Sequence, residues 1–181
     1  MPDPQMPMTL DSFSTPRLLA ERLTPAHHPD VRRMDENEGF MAHLGGVRDE
    51  AGTLIYLERN LAHWATHGFG LWMLRDLAQQ ALIGRAVLRH LEVKGADEVE
   101  VGYGFYPEFW GRGLATEVAC ACVRIGRAQL GLQSVVAVTL PTHRASQRVM
   151  LKAGLAYERD IIHEGLPHVL FRTPVEVDHG Q

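Results

Sequence analysis

Residues 99–117, VEVGYGFYPEFWGRGLATE, carry the clearest chemistry in the chain. A strand-like run places Gly102 and Gly104 on either side of Tyr103, and glycine inside a strand marks a bulge or a close backbone approach. A turn with Pro107 follows, then Gly111-Arg112-Gly113, then a helical pattern. Two glycines at that point let backbone N–H groups face outward at a helix N-terminus, where the dipole also favours anions. This is a diphosphate-binding device, to which Arg112 adds charge and Thr116 a hydroxyl. Three classes of protein use such a turn. A phosphate-binding loop of the kinase type needs Gly-Lys-Ser/Thr, and the turn holds no lysine. A dinucleotide fingerprint needs G-x-G-x-x-G/A, and counting from Gly111 the last place is Thr116. Coenzyme A binding is the class left.

Other reactive side chains are weaker signals. Glu98 and Glu100 lie two apart on the strand and so share one face. His63 and His67 form H-x-x-x-H on a helix, but Trp64 replaces the glutamate of a metalloprotease motif and no third ligand is evident. The expectation there is a solvated helix face and no metal. Cys120 and Cys122, two apart on a helix, do not face each other, so neither a local disulfide nor a zinc pattern is expected and a reducing compartment fits. His163 and His168 bracket a turn containing Gly165.

The elements that must position these groups follow from periodicity and punctuation. Residues 1–14 read as a loosely held tail, and residues 15–181 as one domain. Arg17 to Leu23 reads as a strand, and Thr24-Pro25 starts a helix. Glu36 to Gly52 reads as a short helix with a mobile loop, and Leu54 to His67 as a helix capped by Gly68. Strands are expected at Phe69–Leu74, Leu82–Arg89 and Val99–Phe105, then a long helix from Leu114 to Leu130. A strand at Val135–Thr139, a helix at Arg144–Ala153 and strands around Glu158–His163 and His168–Arg172 complete a mixed α/β layer order, β-α-α-β-β-β-α-β-α-β-β. The net charge of −4 without a basic run argues against nucleic acid. The N-terminus lacks a signal-peptide pattern and no apolar run approaches a membrane span, so a cytoplasmic protein is expected.

The glycine turn and its surroundings resemble the GNAT N-acetyltransferase superfamily. Its Q/R-x-x-G-x-G/A signature is met here by Trp110-Gly111-Arg112-Gly113-Leu114-Ala115, with tryptophan in the first place. WGRGLATE is similar to the RimJ/RimL-type branch, which also carries N-x-x-S before K-x-G-F. The counterpart is PTHRASQRVMLKAGL, with His143 in place of the asparagine, Ser146 retained and Leu155 in place of the phenylalanine. The resemblance runs from about Thr15 to Arg172.

It implies a twisted sheet whose fourth and fifth strands splay to admit the pantetheine arm of acetyl-CoA. By the same resemblance Gly104 and Phe105 contact the arm, Gly111, Arg112, Gly113, Leu114, Ala115 and Thr116 hold the diphosphate, Trp110 belongs to the cofactor site, and His143 and Ser146 line the opposite wall. The implied reaction is direct acetyl transfer in a ternary complex to a primary amine, on a protein N-terminus or a small molecule. An alkyl ammonium of pKa about 10.4 is handicapped by about 4 kcal/mol at neutral pH, so a base is useful. Glu100 is the candidate base, against a plain solvated edge carboxylate. The Phe105 N–H is the implied oxyanion donor. Met150 stands at the usual thiolate-protonating tyrosine, which leaves Ser146, Tyr157 or no enzymic acid at all. His163 and His168 are candidate substrate contacts, and a homodimer is compatible with the branch. A non-catalytic acyl-CoA-binding protein of the same fold and a nucleotide-binding module are the competing readings.

Overall fold

The computed structural model describes residues 10–175. Residues 1–9 and 176–181, including most of the expected tail, lie outside the described residues. Within the described chain the sheet has eight strands in the order β1-β2-β3-β4-β5-β6-β8-β7. They are β1 Ser12–Ser14, β2 Leu18–Arg22, β3 Leu71–Asp76, β4 Leu82–Val93, β5 Ala96–Phe105, β6 Val136–Thr139, β7 Ala156–His163 and β8 Leu166–Arg172. The helices are α1 His28–Glu36, α2 Glu38–Met41, α3 Glu50–His67, α4 Leu114–Arg124 and α5 Arg144–Lys152. Strand β1 falls inside the segment read as tail. Phe13 anchors it edge-on against Trp72 at 5.2 Å, while the two serines beside it stay exposed. Three residues with one apolar side chain are too short for periodicity to register.

Local chemistry explains the element ends. A 3-10 turn over Pro25–His27 precedes α1, Asn37 caps α2 by accepting the Phe40 N–H at 2.8 Å, and Asp49 caps α3 by accepting that of Gly52. Helix α3 thus starts four residues before the apolar stripe, and Gly68 closes it in the left-handed conformation. The expected single helix to Leu130 is instead α4 to Arg124 followed by a π turn over Ile125–Gln129. The Leu132 N–H bonds the Gly126 carbonyl at 2.9 Å as the chain turns toward β6.

Helices cover both faces of the sheet. On one side Arg85 of β4 donates to Asp35 of α1 at 2.9 Å, and Asp35, fully buried, also accepts from Arg48 and Thr53. On the other, Leu88 faces Gly126 beyond α4. Trp64, Trp72, Leu74, Leu88 and Val118 sit in the core between these layers. Strands β4 and β5 pair without interruption from Val93–Ala96 to Gly84–Phe105, so the glycines of β5 do not make a bulge. They permit close approach instead: a Cβ on Gly104 would lie 2.9 Å from Leu44 and one on Gly102 3.0 Å from Val87. Neighbouring strands run antiparallel except β5 and β6, which are parallel and meet only at Glu100–Val136 before separating. With β1 counted, these are the strands expected to splay. Cys120 and Cys122 are both free thiols, and burial pushes the Cys122 pKa up to about 12, a packing role. No helix among the described residues is long and apolar enough to cross a membrane.

Candidate active site

The separation of β5 from β6 opens a cavity of about 500 Å³, floored by β5 from Val101 to Phe105 and bounded by the glycine turn, the start of α4, the end of β6 and α5. Backbone orientation along β5 follows from the antiparallel alternation. The Tyr106 N–H bonds the Ile83 carbonyl on β4 at 3.1 Å. By that register Gly104 also turns its N–H and C=O toward β4, whereas Tyr103 and Phe105 turn theirs into the gap. Gly104 therefore serves the cavity by its missing side chain, and Phe105 by its backbone. The Phe105 carbonyl accepts the Trp110 indole N–H at 2.9 Å, which braces the glycine turn against the strand.

At the turn, Gly111 and Gly113 have φ of 73° and 78°, the left-handed region that favours glycine. Gly113 is the N-cap residue of α4, and no side chain caps this helix. The first α4 bond runs from the Glu117 N–H to the Gly113 carbonyl, so the N–H groups of Leu114, Ala115 and Thr116 point out of the helix start toward the cavity. Glu117 accepts from Thr15 Oγ1 at 2.6 Å and from Arg17 Nε at 2.7 Å, and Arg17 donates onward to the Arg112 carbonyl at 2.8 Å. The Arg17 guanidinium reaches within 3.5 Å of where a Gly113 Cβ would sit, a cationic neighbour of the turn that no local motif announced. Arg112 itself lies over the Phe109 ring.

On the opposite wall Ser146 is buried, and its Oγ lies 3.0 Å from the Tyr103 hydroxyl. Burial raises the Tyr103 pKa to about 12, with the Ser146 hydrogen bond opposing it. His143 lines the same cavity and stacks on His43, ring centroids 3.8 Å and planes 19° apart. Burial first, and the charge of His43 second, hold His143 below the ordinary histidine value. Neither His43 nor Tyr103 carries a signal of its own in the sequence. His43 lies in a segment with no hydrophobic period, and Tyr103 reads as strand filling between glycines.

Other candidates are placed elsewhere. Glu100 is buried and does not line the cavity; its carboxylate accepts from Arg89 Nε at 2.6 Å. Glu98 is held by Arg172 at 2.7 and 2.9 Å, which keeps its carboxyl below the usual range. His163 and His168 stay on the β7–β8 hairpin, 5.3 Å apart edge to face and outside the cavity lining. Tyr157 is exposed and donates to Asp160, while Met150 is buried in the α5 wall.

Parted strand edges beside free helix-start N–H groups can receive an extended amide-bearing arm that ends in phosphates. That is the shape of an acyl-coenzyme A, and the class is the coenzyme A-dependent acyltransferases. Residues 17–156 match the family model described as acetyltransferase (GNAT) domain, and the chain belongs to that family. Its chemistry is acetyl-CoA-dependent N-acetyl transfer. The uncharacterized protein YkkB of Bacillus subtilis is 27% identical over 121 residues, 67% of this chain and 70% of that protein. An FsC-acetyl coenzyme A-N(2)-transacetylase of Aspergillus fumigatus is 33% identical over 96 residues, 50% of this chain and 40% of that protein. Among solved structures, the ribosomal L7/L12 alpha-N-protein acetyltransferase RimL in complex with coenzyme A aligns with TM-score 0.74 at 14% identity, covering 91% of this chain and 97% of that one. This last likeness is one of fold.

Proposed function

We propose that the protein transfers acetyl directly from acetyl-CoA to a primary amine, on a protein N-terminus or a small molecule, with α-amino groups favoured. The observation that carries this reading is the single cavity in which the Phe105 backbone edge, the uncapped α4 start and the His43–His143 pair converge. Residues Gly111 to Thr116 hold the diphosphate. The Phe105 N–H donates to the thioester oxygen as it gains charge. Nitrogen attack forms the N–C bond, and the proton released passes to neutral His143, directly or through water. The C–S bond then breaks. With a pKa near 12, well above a thiol's at about 8.5, Tyr103 stabilises the departing thiolate by a hydrogen bond rather than by giving up its proton. Ser146 orients that hydroxyl by donating its Oγ–H to it at 3.0 Å, and the Tyr103 proton leaves the Ser146 carbonyl, 3.2 Å away, for the sulfur.

A weakly basic imidazole matches an α-amine, whose pKa of about 7.8 leaves a much smaller handicap at neutral pH than an alkyl amine has. RimL, which shares the fold, is named for acting on such a group in a ribosomal protein. Thiol release from acetyl-CoA, measured over peptides with free N-termini, amino acids, polyamines and aminoglycosides, tests the proposal. Faster turnover of α-amines supports it. Acetyl-CoA binding without release on any amine would replace it with the non-catalytic acyl-CoA-binding reading.

A further inference from the structure

Away from the cavity, three imidazoles meet where α3 ends against β4. His63 and His67 lie one helical turn apart on one face of α3, and His90 comes beside them from β4. The ring centroids are 4.4 Å apart for His63–His67, 4.1 Å for His67–His90 and 5.6 Å for His63–His90. Each residue offers a ring nitrogen, and these atoms all lie within 4.8 Å of one another. The H-x-x-x-H pair lacked a third ligand in the sequence because His90 is more than twenty residues away and on a different element. None of the three lines the acyl-CoA cavity.

Their hydrogen bonds set which nitrogen is free. His63 Nδ1 lies 2.8 Å from the Phe69 carbonyl, which can only accept, so the proton sits on Nδ1 and the lone pair on Nε2. That lone pair accepts the His90 backbone N–H at 3.1 Å, at a point where β3 has already ended. His90 Nδ1 lies 2.9 Å from both carboxylate oxygens of Asp97 on β5, which draws its proton there and leaves the lone pair on Nε2 to ligate. A carboxylate behind one imidazole and a backbone carbonyl behind another is how metal-ligating histidines are oriented. Exposed His67 makes no hydrogen bond to another described residue through its ring.

We propose that His63, His67 and His90 form a binding site for one divalent transition-metal cation of the zinc type, with Asp97 orienting His90. Three imidazoles suit zinc, copper or nickel and not calcium or magnesium, which require oxygen ligands. Coordination at about 2.0–2.1 Å needs the nitrogens to close to roughly 3.3 Å. Side-chain rotation supplies this, chiefly at exposed His67, and His63 exchanges the His90 N–H for the metal. The fourth position opens to solvent. The site clasps the end of α3 to β4 and, through Asp97, to β5. It does not depend on the acyl-transfer reading.

Calorimetric titration of the full-length, untagged chain with zinc chloride tests the proposal. One zinc per chain should bind with micromolar or tighter affinity, and zinc at a hundredfold excess over Kd should raise Tm by about 5 °C or more. His67→Gln, at an exposed position, should keep the metal-free Tm while weakening zinc by about 100-fold or more and removing the Tm gain. Asp97→Asn should weaken zinc by about 10-fold to 100-fold. His163→Gln, on the distant hairpin, should change neither quantity. Wild-type protein that takes up no zinc at millimolar concentration, or His67→Gln and Asp97→Asn chains that bind as the wild type does, would overturn the site. Loss of zinc on His163→Gln would equally move the binding elsewhere.

Discussion

His43 and His143 stack face to face at 3.8 Å, joining the turn after α2 to the N-cap of α5 across one wall of the cavity. The two come from segments a hundred residues apart, and neither belongs to a sequence motif that calls for histidine. Their contact has an electrostatic consequence. Burial of His143, with the charge of His43 adding to it, disfavours a proton on His143 and holds it below the ordinary histidine value.

If His143 receives the amine proton, the acid limb of kcat/KM for the free enzyme must inflect below 6.5, because its folded pKa is lowered from that value. His43→Ala removes the neighbouring charge and exposes the ring, so the limb should shift to higher pH. His143→Ala should lower kcat about 10²-fold at pH 7 and abolish the limb. A limb that stays in place in both variants would assign the base elsewhere.

Gly113→Asp tests the diphosphate turn. Aspartate tolerates the left-handed conformation better than most residues, at a cost of about 1 kcal/mol, so the fold should survive. Its carboxylate, placed beside the α4 N–H groups and Arg17, occupies the anion site from within. Acetyl-CoA affinity by calorimetry should fall about 10-fold or more, with circular dichroism unchanged.

Tyr103→Phe removes the hydroxyl proposed to meet the leaving sulfur and leaves the β5 backbone intact. We expect kcat to fall about 10-fold while the Kd for acetyl-CoA moves less than about twofold, since one hydrogen bond to a developing charge is at stake. Ser146→Ala should show a smaller loss of the same kind if Ser146, 3.0 Å from the Tyr103 hydroxyl, acts through it. Equal losses in kcat and affinity would make the pair a packing contact.

Glu100→Gln separates two roles. Bonded to Arg89 and outside the cavity lining, Glu100 should matter to stability. A loss of about 1–2 kcal/mol in denaturant unfolding and a change in kcat below about threefold are expected, discounted because Arg89 is a third exposed. A fall of about 10²-fold in kcat at unchanged stability would instead restore Glu100 as the base.

How much of this was legible in the sequence depends on the range of the interactions concerned. Gly111, Gly113 and the helix after them were readable because a tight turn and an uncapped helix start are local: the residues that create the geometry are contiguous. Most strands and helices emerged for the same reason, from short periods and from caps such as Gly68. Glu100 could be placed on a strand face, but not opposite Arg89, whose guanidinium neutralises it from the neighbouring strand. The same holds for His43 on His143, Tyr103 on Ser146, and His90 beside His63 and His67. Each pair is made by the packing of elements distant in sequence, and neither periodicity nor turn chemistry encodes which side chains that packing will bring within hydrogen-bonding distance. The chain by itself determined the glycine turn with its uncapped helix start and the order of most elements. Tertiary structure decided which titratable groups share a cavity, because Coulomb energy and desolvation depend on distances of a few ångströms that only the folded packing sets.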